Sequence, residues 1–215
     1  MRKAETAAYA TRTLRCMLAA CVPMLAAAAP AANTSAPAAN TAAGSAATRY
    51  TLDAAHSTLE YQFVQAGARN KGLFHKFAVT LSFSPSALPQ SRLEVVVETA
   101  SLDTGDQDRD DTMRSADLLD VAQYPQARFS ATSITRTAAG YDAAGKLTIR
   151  GVTRVAHVPF TFRSSEQQGR SVGYLAGKLL LHRLDFGIGQ GEWKSTDGVG
   201  NEVTVSYALQ LLPAR

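Results

Sequence analysis

Cysteine stops early in this chain. Its two copies, Cys16 and Cys21, both lie near the start. Everything after residue 21 therefore lacks disulfide and thiol chemistry, and a fold there must hold on packing alone. Charge of one sign is missing as well. Four of the 22 basic residues and one of the 18 acidic ones fall in residues 1–32, which leaves 18 against 17 in the remainder. So balanced a domain offers nucleic acid no basic footprint, and no nucleic-acid partner is expected.

Metal and catalytic spacings are also absent. The four histidines, His56, His75, His157 and His182, show neither H-x-H nor H-E-x-x-H spacing, so a metal site would need tertiary convergence. Asp106, Asp108 and Asp110 imitate the start of a calcium loop. The glycine and the bidentate glutamate such a loop requires are replaced by Asp111 and Asp117. Gly169-Arg170-Ser171-Val172-Gly173 matches G-x-S-x-G, but a polar turn precedes it and a strand follows, where a nucleophile elbow needs strand then helix. A hairpin turn is the expected reading. His56 and Ser57 are neighbours on a strand pattern and point to opposite faces, so they cannot form a dyad without a bulge. Gly187, Gly189 and Gly191 lack G-x-G-x-x-G spacing and have no helix after them, which argues against a phosphate cradle. They fit a flexible loop that lays Trp193, the only tryptophan, against a barrel mouth; a packed core residue is the plainer alternative.

What is present begins with a targeting segment. Arg2, Lys3, Arg12 and Arg15 make a basic start, and Cys16–Ala32 is apolar and rich in alanine. That is the layout of a secretory signal, assigned to residues 1–32 with its cleavage point open, and it predicts a periplasmic protein. Leu18-Ala19-Ala20-Cys21 imitates a lipoprotein box, but only five apolar residues separate Arg15 from Cys21, short of the roughly 7–15 of an h-region. Residues 33–48 carry no charge and almost no bulk, so they are expected to form a flexible leader. The folded domain is then 49–215.

That domain alternates. Leu59, Tyr61 and Phe63 interleave with Glu60 and Gln62, and Phe77, Val79, Leu81 and Phe83 with Ala78, Thr80 and Ser82. Leu93, Val95 and Val97 repeat the pattern, as do Val203, Val205, Tyr207, Leu209 and Leu211. Period two over so many segments predicts half-buried antiparallel strands, about eight to ten of them. Sandwich and closed barrel both fit that number. One charge-dense insert, Ser101–Pro125, interrupts the strands. Its early carboxylates and late Arg114 suit the dipole of one short helix starting near Asp106 or Gln107, with Asp110 and Arg114 paired i,i+4. Leu118, Leu119 and Val121 give it an apolar heel. A lone helix of this kind reads as a lid on one end of a β-structure, and with the long strands it favours a barrel of about eight strands over a sandwich.

An ordered series of short matches then resembles the YceI-like, polyisoprenoid-binding family of exported bacterial proteins. The series runs Asp53-x-x-His56-Ser57, Gly72-x-Phe74-x-x-Phe77, Ser101-Leu102-Asp103-Thr104-Gly105, Arg109-Asp110, Tyr124-Pro125 and Phe129. It ends with Leu147-Thr148-Ile149-Arg150-Gly151-Val152-Thr153 and Arg183-x-Asp185-Phe186-Gly187, so it spans about residues 49–212. The resemblance implies a lipocalin-like all-β antiparallel barrel whose hydrophobic pore holds a polyprenyl or other long-chain lipid. It brings no catalytic residues, metal or cofactor; a bound polyisoprenoid or quinone-like lipid is the expected ligand. Alternation alone leaves a packed and an open interior equally open. With the pore that the resemblance implies, the expected ligand contacts are Tyr61, Phe63, Phe74, Phe77, Leu81, Val95, Val97, Phe129, Phe160, Phe162, Phe186, Trp193 and Val205. The leading expectation is a carrier or sequestering protein. A lipid-acting hydrolase, and a module delivering lipid or quinone to a membrane complex, are the alternatives. Transient membrane contact and a homodimer stay open.

Overall fold

The computed structural model describes residues 47–167 and 169–214. The segment read as a secretory signal, and all of the expected leader before Ala47, lie outside the described residues. The first strand begins at Thr48, one residue before the expected start of the domain.

Ten strands form one antiparallel sheet: β1 (Thr48–Gln65), β2 (Ala68–Phe74), β3 (Phe77–Phe83), β4 (Arg92–Glu98), β5 (Leu102–Asp103), β6 (Gln126–Thr137), β7 (Gly140–Ile149), β8 (Val152–Gln167), β9 (Arg170–His182) and β10 (Val199–Pro213). The last strand returns to pair with the first, which closes the sheet.

The ten strands make eight staves. One end of β1 pairs with β3 and the other with β2, in nearly the same register. β2 and β3 are thus a single stave interrupted at His75 and Lys76. β4 and β5 form another, interrupted by the 3₁₀ turn Thr99–Ser101. Along the staves alternation holds as expected: Tyr61 and Phe63 are buried while Gln62 is exposed, and Val79 is buried while Ala78 is exposed.

β1 departs from regular pairing between Asp53 and Thr58. The Ser57 hydroxyl donates to the Asp53 carbonyl at 2.7 Å and accepts from the Gln210 N–H at 2.9 Å, which accommodates the extra residues. His56 turns instead to the Asp53 carboxylate. The bulge is there, yet it gives the two neighbours separate partners.

The sole α-helix among the described residues, α1 (Gln107–Arg114), stands where the charge pattern placed it. Asp106 caps it by accepting from the Arg109 N–H at 3.1 Å. Arg114 reaches Asp110 at 3.9 Å, but it lies closer to Asp111, at 3.0 Å, and donates to the carbonyls of Ala100 and Leu102. The i,i+4 pair is therefore one part of a clamp that fixes the helix to the β4–β5 stave. Leu118 and Leu119 are then both buried, and Leu119 packs with Tyr61, Phe63 and Leu102.

Candidate ligand cavity

The two barrel ends are built differently. At one end the chain passes through the β3–β4, β6–β7 and β8–β9 connections, and aromatic rings fill the interior. Phe83 meets Tyr141 edge-on at 4.8 Å, Phe162 at 4.8 Å and Phe160 at 5.9 Å, and Tyr50 meets Phe162 at 5.5 Å. With Leu81 and Leu211, both fully buried, they form a solid floor.

The other end is open inside. Above the floor lies a cavity of about 530 Å³ walled by side chains from the staves and roofed by α1, its Leu118–Leu119 heel and the β9–β10 connection. This volume falls within the range of small-molecule sites. Of the expected contacts, Tyr61, Phe63, Phe74, Phe77, Val95, Val97, Phe129, Phe186, Trp193 and Val205 line the cavity. Leu81, Phe160 and Phe162 do not: they belong to the packed floor. They sit on inward faces as alternation requires, but too far down the staves to meet the open space.

Residues that were not among the expected ligand contacts complete the wall. Leu147, Ile149, Leu179, Leu181, Met113 and Tyr207 line it. Leu179 and Leu181 share the alternation of β9, which was the available signal. Arg183 opens one of the motifs quoted above, but nothing local signalled its burial, because a guanidinium is rarely buried. It is 4 % exposed and donates to five carbonyls: Gly200 at 3.0 Å, Ile188 at 2.9 Å, Trp193 at 2.7 Å, Ser195 at 3.0 Å and Val199 at 2.8 Å. Burial lowers its pKa from the usual arginine value. Gly189, at φ +117°, has no side chain where a Cβ would strike this guanidinium. One buried cation thus folds the β9–β10 connection and sets Trp193 at the cavity rim. The glycines around it shape a tethered loop.

Two phenols face the interior. Burial pushes the pKa of both Tyr61 and Tyr207 upward, with Asp110 and Asp103 adding to the effect at Tyr61 and Asp142 at Tyr207. Tyr207 donates to the Pro159 carbonyl. Tyr61 has the sulfur of Met113, 3.9 Å away.

The titratable pairs lie elsewhere. His56 meets Asp53 at 2.9 Å, His75 meets Asp103 at 2.9 Å, His157 meets Asp142 at 2.7 Å and His182 meets Asp185 at 3.7 Å, all with exposed imidazoles. None of the four histidines lines the cavity. Ser171 stands at the start of β9, near the floor end, opposite Glu166. Among the described residues no three His, Cys, Asp or Glu side chains converge as metal ligands would.

Known proteins are similar to this chain in sequence or in fold. A UPF0312 protein of Pseudomonas savastanoi pv. phaseolicola is 36% identical over 141 residues, covering 64% of this chain and 70% of its own. The crystal structure of Burkholderia cenocepacia BcnA superposes with a TM-score of 0.68 at 33% identity, covering 74% of this chain and 98% of that one. A polyisoprenoid binding domain from Saccharophagus degradans, implicated in plant cell wall breakdown, shares the fold at a TM-score of 0.54 and 17% identity, over 77% of this chain and 98% of its own. The YceI-like domain model matches residues 50–211, nearly the whole barrel, and the chain belongs to the YceI-like family.

Proposed function

We propose that this protein is an exported, periplasmic binding protein that holds a long-chain isoprenoid or related lipid in its barrel, as a carrier or by sequestration. The observation that carries the reading is the cavity itself, about 530 Å³ and walled almost wholly by apolar side chains. At about 0.8 kcal/mol per buried CH₂, enclosing roughly 15 carbons contributes about 12 kcal/mol gross. Ordering the chain and losing its free motion offset much of that. Useful affinity then needs no charged anchor. The polyisoprenoid-binding description of the Saccharophagus degradans domain supports the same ligand class.

Binding is favoured over lipid hydrolysis because no His lines the cavity and Ser171 lies at the floor end. Export rests on the basic, alanine-rich segment 1–32. Transient membrane contact belongs to this reading, since a lipid must leave a bilayer to reach the cavity; a homodimer is not required by it. Native mass spectrometry of the protein recovered from its host's periplasm tests the whole proposal. The expected species is a chain shortened at its N-terminus carrying one apolar ligand. An intact Met1 terminus would overturn export, and a ligand-free population would overturn the lipid reading.

A further inference from the structure

The folded domain carries a single sulfur atom. Met1, Cys16, Met17, Cys21 and Met24 all precede residue 25, which leaves Met113 as the sole methionine or cysteine of residues 49–215. Met113 stands in the last turn of α1, half-buried, and lines the cavity. It packs against the cluster of Tyr61, Phe63, Leu102 and Leu119, and its backbone carbonyl accepts from the Leu119 N–H at 3.1 Å. The one oxidisable sulfur of the domain therefore sits in the cavity roof, where the helix joins its apolar heel.

A hydrogen-bond donor faces that sulfur. The Tyr61 hydroxyl donates to it at 3.9 Å, and Tyr61 is 3% exposed. A thioether is a weak acceptor, so a buried O–H is left with little to hold. Gly72, opposite Tyr61 on β2, makes room for the phenol, since a Cβ there would collide with its oxygen. Tyr207, the other phenol on the cavity wall, already donates to the Pro159 carbonyl. Burial keeps the Tyr61 phenol protonated. Adding an oxygen to the Met113 sulfur would set a polar acceptor beside this donor.

We propose that Met113 is a peroxide-sensitive switch on ligand retention: oxidation to the sulfoxide puts a polar oxygen, held by the Tyr61 hydroxyl, into the apolar cavity and weakens its hold on an apolar occupant. The sulfur lone pair attacks one oxygen of hydrogen peroxide. An S–O bond forms as the O–O bond breaks, and sulfur gives up two electrons to the peroxide. The proton on the transferred oxygen passes to the departing hydroxide, which leaves as water. An apolar chain lying against the roof must then cover an S=O group, and desolvating that group opposes binding. Methionine sulfoxide is reversible by dedicated reductases, so the change can be reset. This inference rests on the apolar-cavity reading above and adds a regulation to it.

The test treats the lipid-stripped protein with hydrogen peroxide, locates added oxygen by peptide mapping and titrates an apolar fluorescent dye before and after. The parent should gain one oxygen at Met113 and then bind the dye about tenfold more weakly, the scale of one polar group set against an apolar ligand. Met113→Leu, whatever its own starting affinity, should show no change on treatment, which separates Met113 from Trp193 at the rim. Tyr61→Phe removes the donor, so oxidation should lower its melting temperature further than it lowers the parent's. A Met113 that stays reduced in peroxide sufficient to oxidise free methionine overturns the proposal. So does an oxidised parent that holds the dye unchanged, or a Met113→Leu variant that weakens as much as the parent. Equal falls in melting temperature in the parent and Tyr61→Phe overturn the part assigned to Tyr61. Failure of the untreated parent to bind the dye overturns the apolar-cavity reading instead.

Discussion

Asp110 and Thr104 are joined twice: one carboxylate oxygen of Asp110 accepts from the Thr104 backbone N–H at 2.9 Å and from its hydroxyl at 2.8 Å. Asp110 is 6% exposed, so these bonds form away from water and tie the middle of α1 back to the end of β5. Asp110→Ala should therefore cost about 1.5–3 kcal/mol, the range for hydrogen bonds to a charged group. Chemical denaturation reads this directly. Faster ligand exchange should accompany it, because the same bonds hold the cavity roof.

Phe63 and Gln62 are neighbours with opposite environments, buried on the cavity wall and exposed outside. Phe63→Ala should enlarge the cavity and shift the co-purifying ligand to longer or bulkier chains. Its cost should fall below the roughly 3–5 kcal/mol of a Phe→Ala change in a packed core. Gln62→Ala should stay within about 0.5 kcal/mol of the parent. Melting temperature and ligand mass together decide. A full core penalty with no ligand in either sample would mean a packed interior.

The Asp103 carboxyl titrates below its ordinary 3.8, mainly because it accepts from His75 and also from the Gly105 N–H. A depressed folded pKa contributes stability that is complete above the ordinary value. That contribution disappears as pH falls through the lower folded value. Melting curves from about pH 5 to about pH 2 should show Asp103→Asn losing less stability on acidification than the parent. An identical acid slope in both proteins would contradict this.

Arg183→Lys replaces a five-donor fork with a point charge carrying three donors. The ammonium cannot span the five carbonyls, and leaving buried acceptors open should cost about 3 kcal/mol. Hydrogen exchange should rise specifically over residues 187–198 while the staves stay protected.

Calcium should leave the melting temperature unchanged. Asp106 caps the helix, Asp110 holds Thr104, Asp103 is bound by His75 and Gly105, and Asp111 pairs with Arg114. A cation that bound the native state would stabilise it, so a rise at micromolar calcium would refute this assignment.

Strand alternation and the helix start were legible because both are local. The side-chain period of a strand is two, so Phe63 and Gln62 declare their faces without any partner. The carboxylates before Arg114 declare a helix in the same way. Height along the barrel axis is not local. Phe160 and Phe162 alternate as Phe63 does, and nothing in that pattern says that their rings meet Phe83 and Tyr141 below the cavity. The burial of Arg183 was equally hidden. It depends on five carbonyls from residues 188–200 turning toward one point, which only the folded loop provides.

The aromatic plug of Tyr50, Phe83, Tyr141, Phe160 and Phe162 makes the barrel a blind well rather than a tunnel. Whatever occupies the well leaves by the opening through which it came, so a newcomer cannot push the resident out from behind. Turnover of the occupant is then paced by its own departure. Adding more of a competing molecule should refill empty wells sooner without emptying full ones any faster.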